Sequence, residues 1–258
     1  MRRSRTLAKI RNGQTARICS LGHYIPAYVK HAAQNEFDCI WLDLEHRNIA
    51  DRDVEALLLH GRLHDIDIMV RTRTREKTKL YRYLEDGATG VMIPHVNDAD
   101  QVRQLVNAVK FPPVGDRGLD GAGLDADYMV RGRERVGEFL EHAASETFLV
   151  IQVETPTAVR NIDQIAAVPG LDGIFVGPGD LGLRLPIDGD GMTLDSAMSA
   201  VSAACQQNQV AWGCPVGSAA DLATRQQQGA QLLAHGEDFM AFVTMLQASA
   251  AVFNNTPR

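Results

Sequence analysis

Three ionisable side chains directly follow an apolar run in the stretch IWLDLEHRN, which spans residues 40–48. The apolar part is typical of a buried strand, and Asp43, Glu45 and His46 stand together where that strand would end. Carboxylates beside an imidazole can orient water and transfer protons. The stretch therefore predicts a catalytic site at a strand end. The alternative is that His46 only caps a loop through a hydrogen bond.

Two further carboxylates follow neighbouring apolar runs. Glu154 ends the run FLVIQVE, and Asp180 lies in VGPGDLG after the next run. Adjacent strands lie about 4.8 Å apart, so both carboxylates can reach one point and could bind Mg²⁺ or Mn²⁺, which take oxygen ligands. The alternatives are a buried arginine partner for Glu154 and a helix N-cap for Asp180. A cap and a ligand are not exclusive, because the following amides could also bind an anion.

A guanidinium follows the third apolar run. Arg71 comes directly after Ile68-Met69-Val70, and a guanidinium at the end of a buried strand needs an anionic partner. That partner is either a protein carboxylate, in a structural salt bridge, or the substrate. Gln152 also stands at a strand end. His95 and His235 stand at two further strand ends, but histidines in such positions are more often structural than catalytic.

Eight apolar runs would position these side chains, over residues 16–22, 38–44, 67–73, 90–96, 148–154, 173–179, 210–216 and 231–236. Most are continuously apolar, as in strands buried on both faces of a parallel sheet, and helical patterns separate them. Helices are predicted to begin with Asn97 as an N-cap, with Pro156 in the first turn, and at Ser218. Eight such units favour a closed (β/α)8 TIM barrel as a single domain over residues 1–258. An open doubly wound sheet is the alternative, but no GxGxxG motif opens a helix after the first run.

The segment 112–145 is longer than a minimal connection between a helix and a strand. It contains GDRGLDGAGLD and a helical pattern over residues 129–142. Because long ordered insertions in barrels are often substrate lids, the segment is predicted to be lid-like.

Composition excludes several classes of protein. The 258 residues are 45% hydrophobic and 22% charged, with a net charge of −6, so a nucleic-acid partner is not expected. No run is long enough for a transmembrane helix, and the arginine-rich start lacks the apolar segment of a secretory signal. The four cysteines are not in metal-binding or CxxC spacing, which favours reduced core thiols and a cytoplasmic location.

Six motifs occur in register: FDCIWLDLEHRN, VRTR, GATGVMIPHVNDADQ, FPPVGDRG, VIQVET and DGIFVGPGDLG. Together they resemble the HpcH/HpaI family of class II pyruvate aldolases, which includes 4-hydroxy-2-oxoheptanedioate and 2-dehydro-3-deoxyglucarate aldolases. The resemblance extends over residues 7–249. It implies a barrel of the phosphoenolpyruvate/pyruvate-superfamily type and a homo-oligomer, usually a hexamer with the last helix exchanged between neighbours.

The resemblance also implies an activity and a cofactor. The activity is the reversible cleavage of a 4-hydroxy-2-oxo acid to pyruvate and an aldehyde through an enolate that a divalent metal stabilises. The metal would be Mg²⁺ or Mn²⁺, with Co²⁺ possible. Related carbon–carbon lyases, such as an oxaloacetate decarboxylase or an acyl-CoA lyase, and a non-catalytic barrel are the alternatives.

Site roles follow from the same resemblance, one motif at a time. Glu154 and Asp180 align with the family's metal ligands, and Gln152 aligns with a glutamine that contacts the substrate. The amides of Gly179 and Asp180 fall on the donors to the substrate carboxylate. Arg71 falls on the family's catalytic arginine.

The proton-transfer roles come from two other motifs. His46 falls on the general base, which acts through a metal-bound water, and Asp43 is expected to orient that base or its water. Asp86 falls on an acid that supports the base of a neighbouring subunit.

Three features depart from the family pattern. Leu44 stands where the family often has glycine, Thr72 replaces a proline, and the stretch GLDGAGLDADYMV, residues 118–130 at the start of the 119–145 insertion region, matches poorly. These differences concern the part of the site that would bind the aldehyde more than the part that would bind the metal. They therefore leave the identity of the aldehyde undetermined.

Overall fold

Residues 1–128 and 132–254 are described by a computed structural model, apart from the side chains of residues 133 and 134. Within these residues, eight parallel strands close into a barrel in chain order. They are β1 (Ala16–Leu21), β2 (Cys39–Asp43), β3 (Asp67–Arg71), β4 (Gly90–Ile93), β5 (Phe148–Val153), β6 (Gly173–Val176), β7 (Ala211–Pro215) and β8 (Leu232–Glu237). The predicted (β/α)8 barrel is therefore confirmed, and the open sheet is wrong.

The strands form where the apolar runs predicted them because both of their faces are buried. Every residue of β3 and β5 is buried. One apolar cluster fills the barrel interior and includes Met69, Met92 and Phe175, while a larger one lies between the strands and the helices. Such two-sided burial requires continuously apolar strands.

Twelve helices surround or close the barrel in the described part of the chain. They are α1 (Arg5–Arg11), α2 (Pro26–Gln34), α3 (Asp51–Leu63), α4 (Lys77–Glu85), α5 (Ala99–Val109), α6 (Arg133–Glu146), α7 (Pro156–Arg160), α8 (Ile162–Ala166), α9 (Pro178–Asp188), α10 (Leu194–Asn208), α11 (Ala219–Gln227) and α12 (Asp238–Asn254). A short 3-10 helix covers Leu124–Ala126. None of the helices in these residues is long and apolar enough to span a membrane.

Two of the three predicted helix starts are confirmed. Pro156 is at the first position of α7, and the Ser218 side chain accepts a hydrogen bond from Asp221 N at the start of α11. Asn97 as a cap is wrong, because Asp98 caps α5 by accepting from Gln101 N. Asn97 Oδ1 instead accepts from the Thr155 hydroxyl. This contact lies between distant parts of the chain, so local sequence does not reveal it.

The described part of segment 112–145 does not form a lid over its own barrel, contrary to expectation. It follows α5 and leads into the start of β5, and it packs along α4, where Leu124 lies against Gly87. The Arg117 guanidinium is buried and pairs with Asp125. The segment therefore covers the side of the barrel rather than the strand ends. Residues 129–131 of the predicted extra helix lie outside the described residues, and the described helix is α6.

The C-terminal helix α12 is exposed along its length. It is strongly apolar, yet only Asp238 at its start is buried, and Leu246, Val252 and Phe253 are 62%, 68% and 82% exposed. Beside β1 and β8, a cavity of about 1060 Å³ is lined by Leu222 of α11 and Leu233 of β8, among other residues. The helix thus does not cover the apolar surface of its own barrel, where the eighth helix of a barrel normally packs.

Candidate active site

Arg71 and Asp43 meet at the carboxyl ends of β3 and β2. The two residues are register partners, which places their side chains next to each other. Arg71 Nε donates to Asp43 Oδ1 at 2.9 Å, and Arg71 Nη2 lies 2.8 Å from Asp43 Oδ2. Nη1 lies 3.1 Å from Glu45 Oε2. The guanidinium also stacks on Trp41, 4.5 Å from its ring centroid. These contacts fix the orientation of Arg71 at the mouth of the barrel.

The carboxylate of Asp43 also shapes the loop that follows β2. Its Oδ1 accepts from the backbone N–H groups of Glu45 at 3.0 Å and His46 at 3.3 Å. Burial by itself would raise the pKa of Asp43, but hydrogen bonding to Arg71 and its charge outweigh burial and lower that pKa. Asp43 is therefore a carboxylate that orients other groups.

His46 is held by its backbone while its ring faces outward. The side chain is 54% exposed, and Nε2 lies 3.7 Å from Glu45 Oε2. An imidazole this exposed is open to a ligand or to water. The alternative interpretation of His46 as a side-chain cap finds no support, because the loop is capped by Asp43 instead.

Glu154 follows β5 and is almost completely buried. Its Oε2 accepts from the backbone N–H of His95 at 3.0 Å and lies 3.2 Å from His95 Nδ1. Burial raises the pKa of Glu154, and His95 opposes that shift. The carboxylate touches no arginine in the described residues, so the proposed buried arginine partner is absent there.

His95 is the residue that sequence reasoning underestimated. Its φ is +56°, and its Nε2 lies 3.1 Å from Glu45 Oε1, so the imidazole joins the carboxylates of Glu45 and Glu154. The position of His95 at the end of the fourth apolar run is the sequence feature that indicates a place in the site. The left-handed backbone that turns it towards β5 is not visible in the sequence.

Asp180 lies in the first turn of α9, which begins after Gly177. Gly177 occupies the N-cap position, so the interpretation of Asp180 as a cap is wrong. Arg184, one turn further on, donates to both the side chain and the backbone carbonyl of Asp180. This hydrogen bond lowers the pKa of Asp180. Because β5 and β6 are neighbours, Asp180 and Glu154 belong to the same end of the barrel.

Two more predicted residues lie at this end. Gln152 is buried, and its Oε1 has no hydrogen-bond partner among the described residues. Gly179 faces open space, since a Cβ there would have no neighbour within 4 Å. An unsatisfied buried acceptor and accessible backbone beside Asp180 are features of a site that binds a polar ligand.

Asp86 does not join the other predicted residues. It follows α4, pairs with Arg82 at 3.0 Å and faces a cavity of about 370 Å³ that Asp120 and Tyr128 also line. Burial raises the pKa of Asp86. No described contact connects it to His46 of the same chain, so any role in proton transfer requires a second chain.

The residues at the strand ends fit a divalent metal by the chemistry of their donors. Glu154 and Asp180 supply hard carboxylate oxygens, the ligands that Mg²⁺ and Mn²⁺ prefer. Within the described chain there is no group of three or more histidines, cysteines, aspartates or glutamates arranged to hold a metal. A two-carboxylate site, with the remaining positions filled by water and substrate, is the arrangement that these residues can offer.

The mouth of the barrel opens into a cavity of about 1140 Å³. Asp43, His46 and Arg71 line one part of it, and residues at the start of α12 line another. The volume exceeds what pyruvate alone would fill, since ligand pockets for drug-sized molecules are about 300–1,000 Å³.

Comparison with known families gives a match over most of the chain. Residues 21–244 match the family described as HpcH/HpaI aldolase/citrate lyase. A 2-dehydro-3,6-dideoxy-6-sulfogluconate aldolase from Pseudomonas putida is 37% identical over 148 residues, which are 56% of this chain and 55% of that protein. A hydroxypyruvate/pyruvate aldolase from Pseudomonas aeruginosa is 34% identical over 178 residues, 67% of this chain and 63% of that protein. The chain thus spans less than two thirds of the length of these two relatives.

Among solved structures, an HpcH/HpaI aldolase from Desulfitobacterium hafniense superimposes with a TM-score of 0.88. It is 27% identical in sequence, and the match covers 97% of this chain and 96% of that one. The barrel, its closure and the order of its elements are therefore shared with that structure.

Proposed function

The chain belongs to the HpcH/HpaI aldolase/citrate lyase family, and from that membership we propose that it is a lyase that cleaves a 4-hydroxy-2-oxo acid reversibly to pyruvate and an aldehyde. The observation that carries the proposal is the convergence of Arg71, Asp43, His46, Glu154 and Asp180 on one end of the barrel. In (β/α)8 enzymes the active site lies at this end.

The family generally depends on a divalent metal, and we propose Mg²⁺ or Mn²⁺ here. Glu154 and Asp180 would hold it. When bound, such an ion acts as a Lewis acid that withdraws electrons from the ketone oxygen of the substrate. His95 and Arg184 now contact the two carboxylates, so these side chains would adjust when the ion binds.

Arg71 would stabilise the negative charge that develops on the former ketone oxygen when the carbon–carbon bond breaks. Its bidentate contact with Asp43 and its stacking on Trp41 hold the guanidinium in place before the reaction. A preoriented cation stabilises developing charge without the cost of reorganisation. Gln152 and the amides of Gly179 and Asp180 would bind the oxygens of the oxo acid.

Proton transfer would fall to His46. Its exposed ring can take the proton of the 4-hydroxyl group, directly or through water, and return a proton to C3 of the enolate. Asp43 would orient the loop that carries His46, through the backbone hydrogen bonds described above. Asp86 would act on His46 of a neighbouring subunit.

Proton exchange at C3 of pyruvate tests this function without knowledge of the aldehyde. Followed by NMR in D₂O, the protein with Mg²⁺ or Mn²⁺ should replace the C3 protons of pyruvate by deuterium. Exhaustive chelation should abolish the exchange, and added metal should restore it. Exchange that survives chelation would contradict the metal-dependent mechanism, and no exchange under any condition would favour a non-catalytic barrel or a different lyase.

We also propose that the protein is a homo-oligomer in which α12 packs on a neighbour. The exposed apolar surface of α12 and the cavity beside β1 and β8 support this arrangement. A helix that is apolar all round is stable in water only when other surfaces cover it. Each chain would form one barrel domain, and a hexamer is the form that family resemblance favours.

A cytoplasmic location completes the proposal. Cys19, Cys39, Cys205 and Cys214 are buried and free, and free buried thiols persist in reducing compartments.

A further inference from the structure

Arg47 is a cation at the mouth of the barrel that has no carboxylate partner within the described residues. Its Nη1 donates to the backbone carbonyl of His46 at 3.1 Å, and it forms none of the ion pairs found there. Arg71, Arg73 and Arg184, which also lie near the strand ends, pair with Asp43, Asp51 and Asp180. Arg75 donates to the backbone carbonyls of Pro94 and His95 and does not line the cavity at the mouth. The charge of Arg47 is thus available to a ligand.

The chain makes room for this side chain at the end of β1. Arg47 lies across Gly22, where a Cβ would come within 2.9 Å of Arg47 Nε and 3.0 Å of its Cγ. Gly22 itself is fixed, since its N–H donates to the buried carboxylate of Asp238 at 3.0 Å. The absence of a side chain at residue 22 therefore permits the present path of Arg47 along the mouth.

Arg47 lines the cavity of about 1140 Å³ together with His46 and Arg71. Met240, Ala241 and Met245 of α12 form an apolar part of the wall. The cavity thus extends from His46 and Arg71, the residues proposed to act on pyruvate, to a wall that includes Arg47. Among the described residues, no acid pairs with this arginine.

Two acids line this cavity, Asp43, which pairs with Arg71, and Glu237. Glu237, at the end of β8, forms no ion pair in the described residues. It lies more than 4 Å from the Arg47 guanidinium, because no salt bridge joins the two. Glu237 would repel an anion, whereas Arg47 attracts one, so the two residues make opposite predictions about the ligand and can be separated by substitution.

We infer that Arg47 binds a negatively charged group carried by the aldehyde half of the substrate. This inference rests on the proposed aldolase function and specifies its substrate class: 4-hydroxy-2-oxo acids with a second acid group, namely a carboxylate, a sulfonate or a phosphate. A guanidinium forms two parallel hydrogen bonds with each of these groups. The proximity of Arg47 to His46 places the charge next to the aldehyde rather than next to pyruvate.

The test compares matched aldehydes in the condensation with pyruvate, using the full-length, metal-loaded protein. One pair is 4-oxobutanoate and 4-oxobutanamide, which differ in charge at the same length. The second pair is glyceraldehyde 3-phosphate and glyceraldehyde, and the third is 3-oxopropanesulfonate and its sulfonamide. The quantity measured is the ratio of kcat/KM for the charged aldehyde to that for the neutral one, and the largest ratio identifies the acid group.

The ratio should exceed one in the wild type for at least one pair and fall about tenfold or more in Arg47→Gln, as expected for a hydrogen-bonded charge. Arg47→Lys should retain part of it. Gly22→Ala should also lower it, because the added methyl group displaces the arginine without removing its charge, and this variant serves if Arg47→Gln does not fold. Glu237→Gln should leave the ratio unchanged or raise it, because this substitution removes a negative charge that would repel the anion. Arg103→Gln, on the exposed face of α5, changes the net charge equally and should leave the ratio unchanged.

The outcomes separate the inference from the proposed function. Wild-type protein that exchanges the C3 protons of pyruvate, but whose ratio is the same in Arg47→Gln, would overturn the role of Arg47 alone. A wild-type ratio at or below one for all three pairs would do the same. Absence of exchange in the wild type would overturn the aldolase function and the inference with it.

Discussion

At the scale of single residues, the site depends on how Arg71 is held. A surface salt bridge contributes little to stability, but Arg71 is buried, bidentate to Asp43 and stacked on Trp41. Removing one partner of a buried pair leaves an uncompensated charge, which is strongly destabilising. The same contacts that hold the guanidinium in place for its proposed role therefore also connect β2 to β3.

Arg71→Lys should lower kcat for pyruvate release about a hundredfold, because an ammonium cannot form the bidentate contact and is aimed less well at developing charge. Steady-state kinetics with a 4-hydroxy-2-oxo acid measures this loss. Arg73→Lys is the matched control, since Arg73 pairs with the exposed Asp51. Activity in Arg71→Lys equal to that of Arg73→Lys would remove Arg71 from the mechanism.

Asp43→Asn should lower the free energy of unfolding of the metal-free protein by about 3 kcal/mol at neutral pH. Because Arg71 lowers the pKa of Asp43 below its usual value of 3.8, the stabilisation is fully present above that value. It is lost as pH falls towards the folded-state pKa. Urea unfolding at several pH values should show the difference between wild type and variant shrinking below about pH 4, and a difference that grows on acidification would contradict this assignment.

At the scale of elements, the barrel depends on close contacts between neighbouring strands. Gly213 of β7 is the register partner of Leu232 in β8, and a Cβ on Gly213 would overlap the Leu232 carbonyl oxygen. Backbone in a sheet cannot move away without breaking ladder hydrogen bonds. This position therefore accepts glycine alone, for reasons that only the pairing of β7 with β8 reveals.

Gly213→Ala should destabilise the protein by about 3 kcal/mol or more, as overpacking against a fixed backbone does. Gly137→Ala in α6 is the control, because a Cβ there has no neighbour within 4 Å and alanine stabilises a helix by about 0.5–1 kcal/mol relative to glycine. Thermal or urea unfolding of the two variants should move in opposite directions. Equal stability of Gly213→Ala and wild type would show that β7 and β8 are spaced differently.

At the scale of the whole molecule, most apolar side chains of the described part of α12 are not packed against their own barrel. Its apolar side chains are exposed while a cavity remains beside β1 and β8. Because contiguous exposed apolar patches mark interaction surfaces, a second copy of the chain would complete both features. The proposed oligomer would also account for the position of Asp86 away from the strand ends, since its proposed partner would belong to a neighbour.

Leu246→Glu should shift the protein towards smaller species, because a charge cannot be buried in an apolar interface without a partner. Size-exclusion chromatography with light scattering measures the mass. Leu63→Glu at the end of α3 is the control, as this leucine is 70% exposed and far along the chain from α12. A wild-type protein that is monomeric at micromolar concentration would contradict the proposed oligomer. If both variants dissociated, the effect of Leu246→Glu would not be specific to α12.

The amino-acid sequence by itself determined the eight strands and most of the residues at their ends. Continuous apolar runs such as FLVIQV allow burial on both faces, and this property is local, so strand bounds follow from it within three residues. The family motifs also predict Glu154, Asp180 and His46 as site residues, because each motif is contiguous in sequence.

The tertiary structure alone decided which groups meet. Arg71 reaches Asp43 through the register of β2 and β3, and His95 reaches Glu154 through a left-handed backbone turn. In the described part of segment 112–145, residues around Leu124 pack beside α4 instead of forming a lid, because the segment connects the far end of α5 to the start of β5. Arg47 forms no ion pair with any acid of the described residues, because Glu45, two residues before it in sequence, pairs with Arg71 instead. Such contacts depend on the closed barrel, which brings together residues that are far apart along the chain.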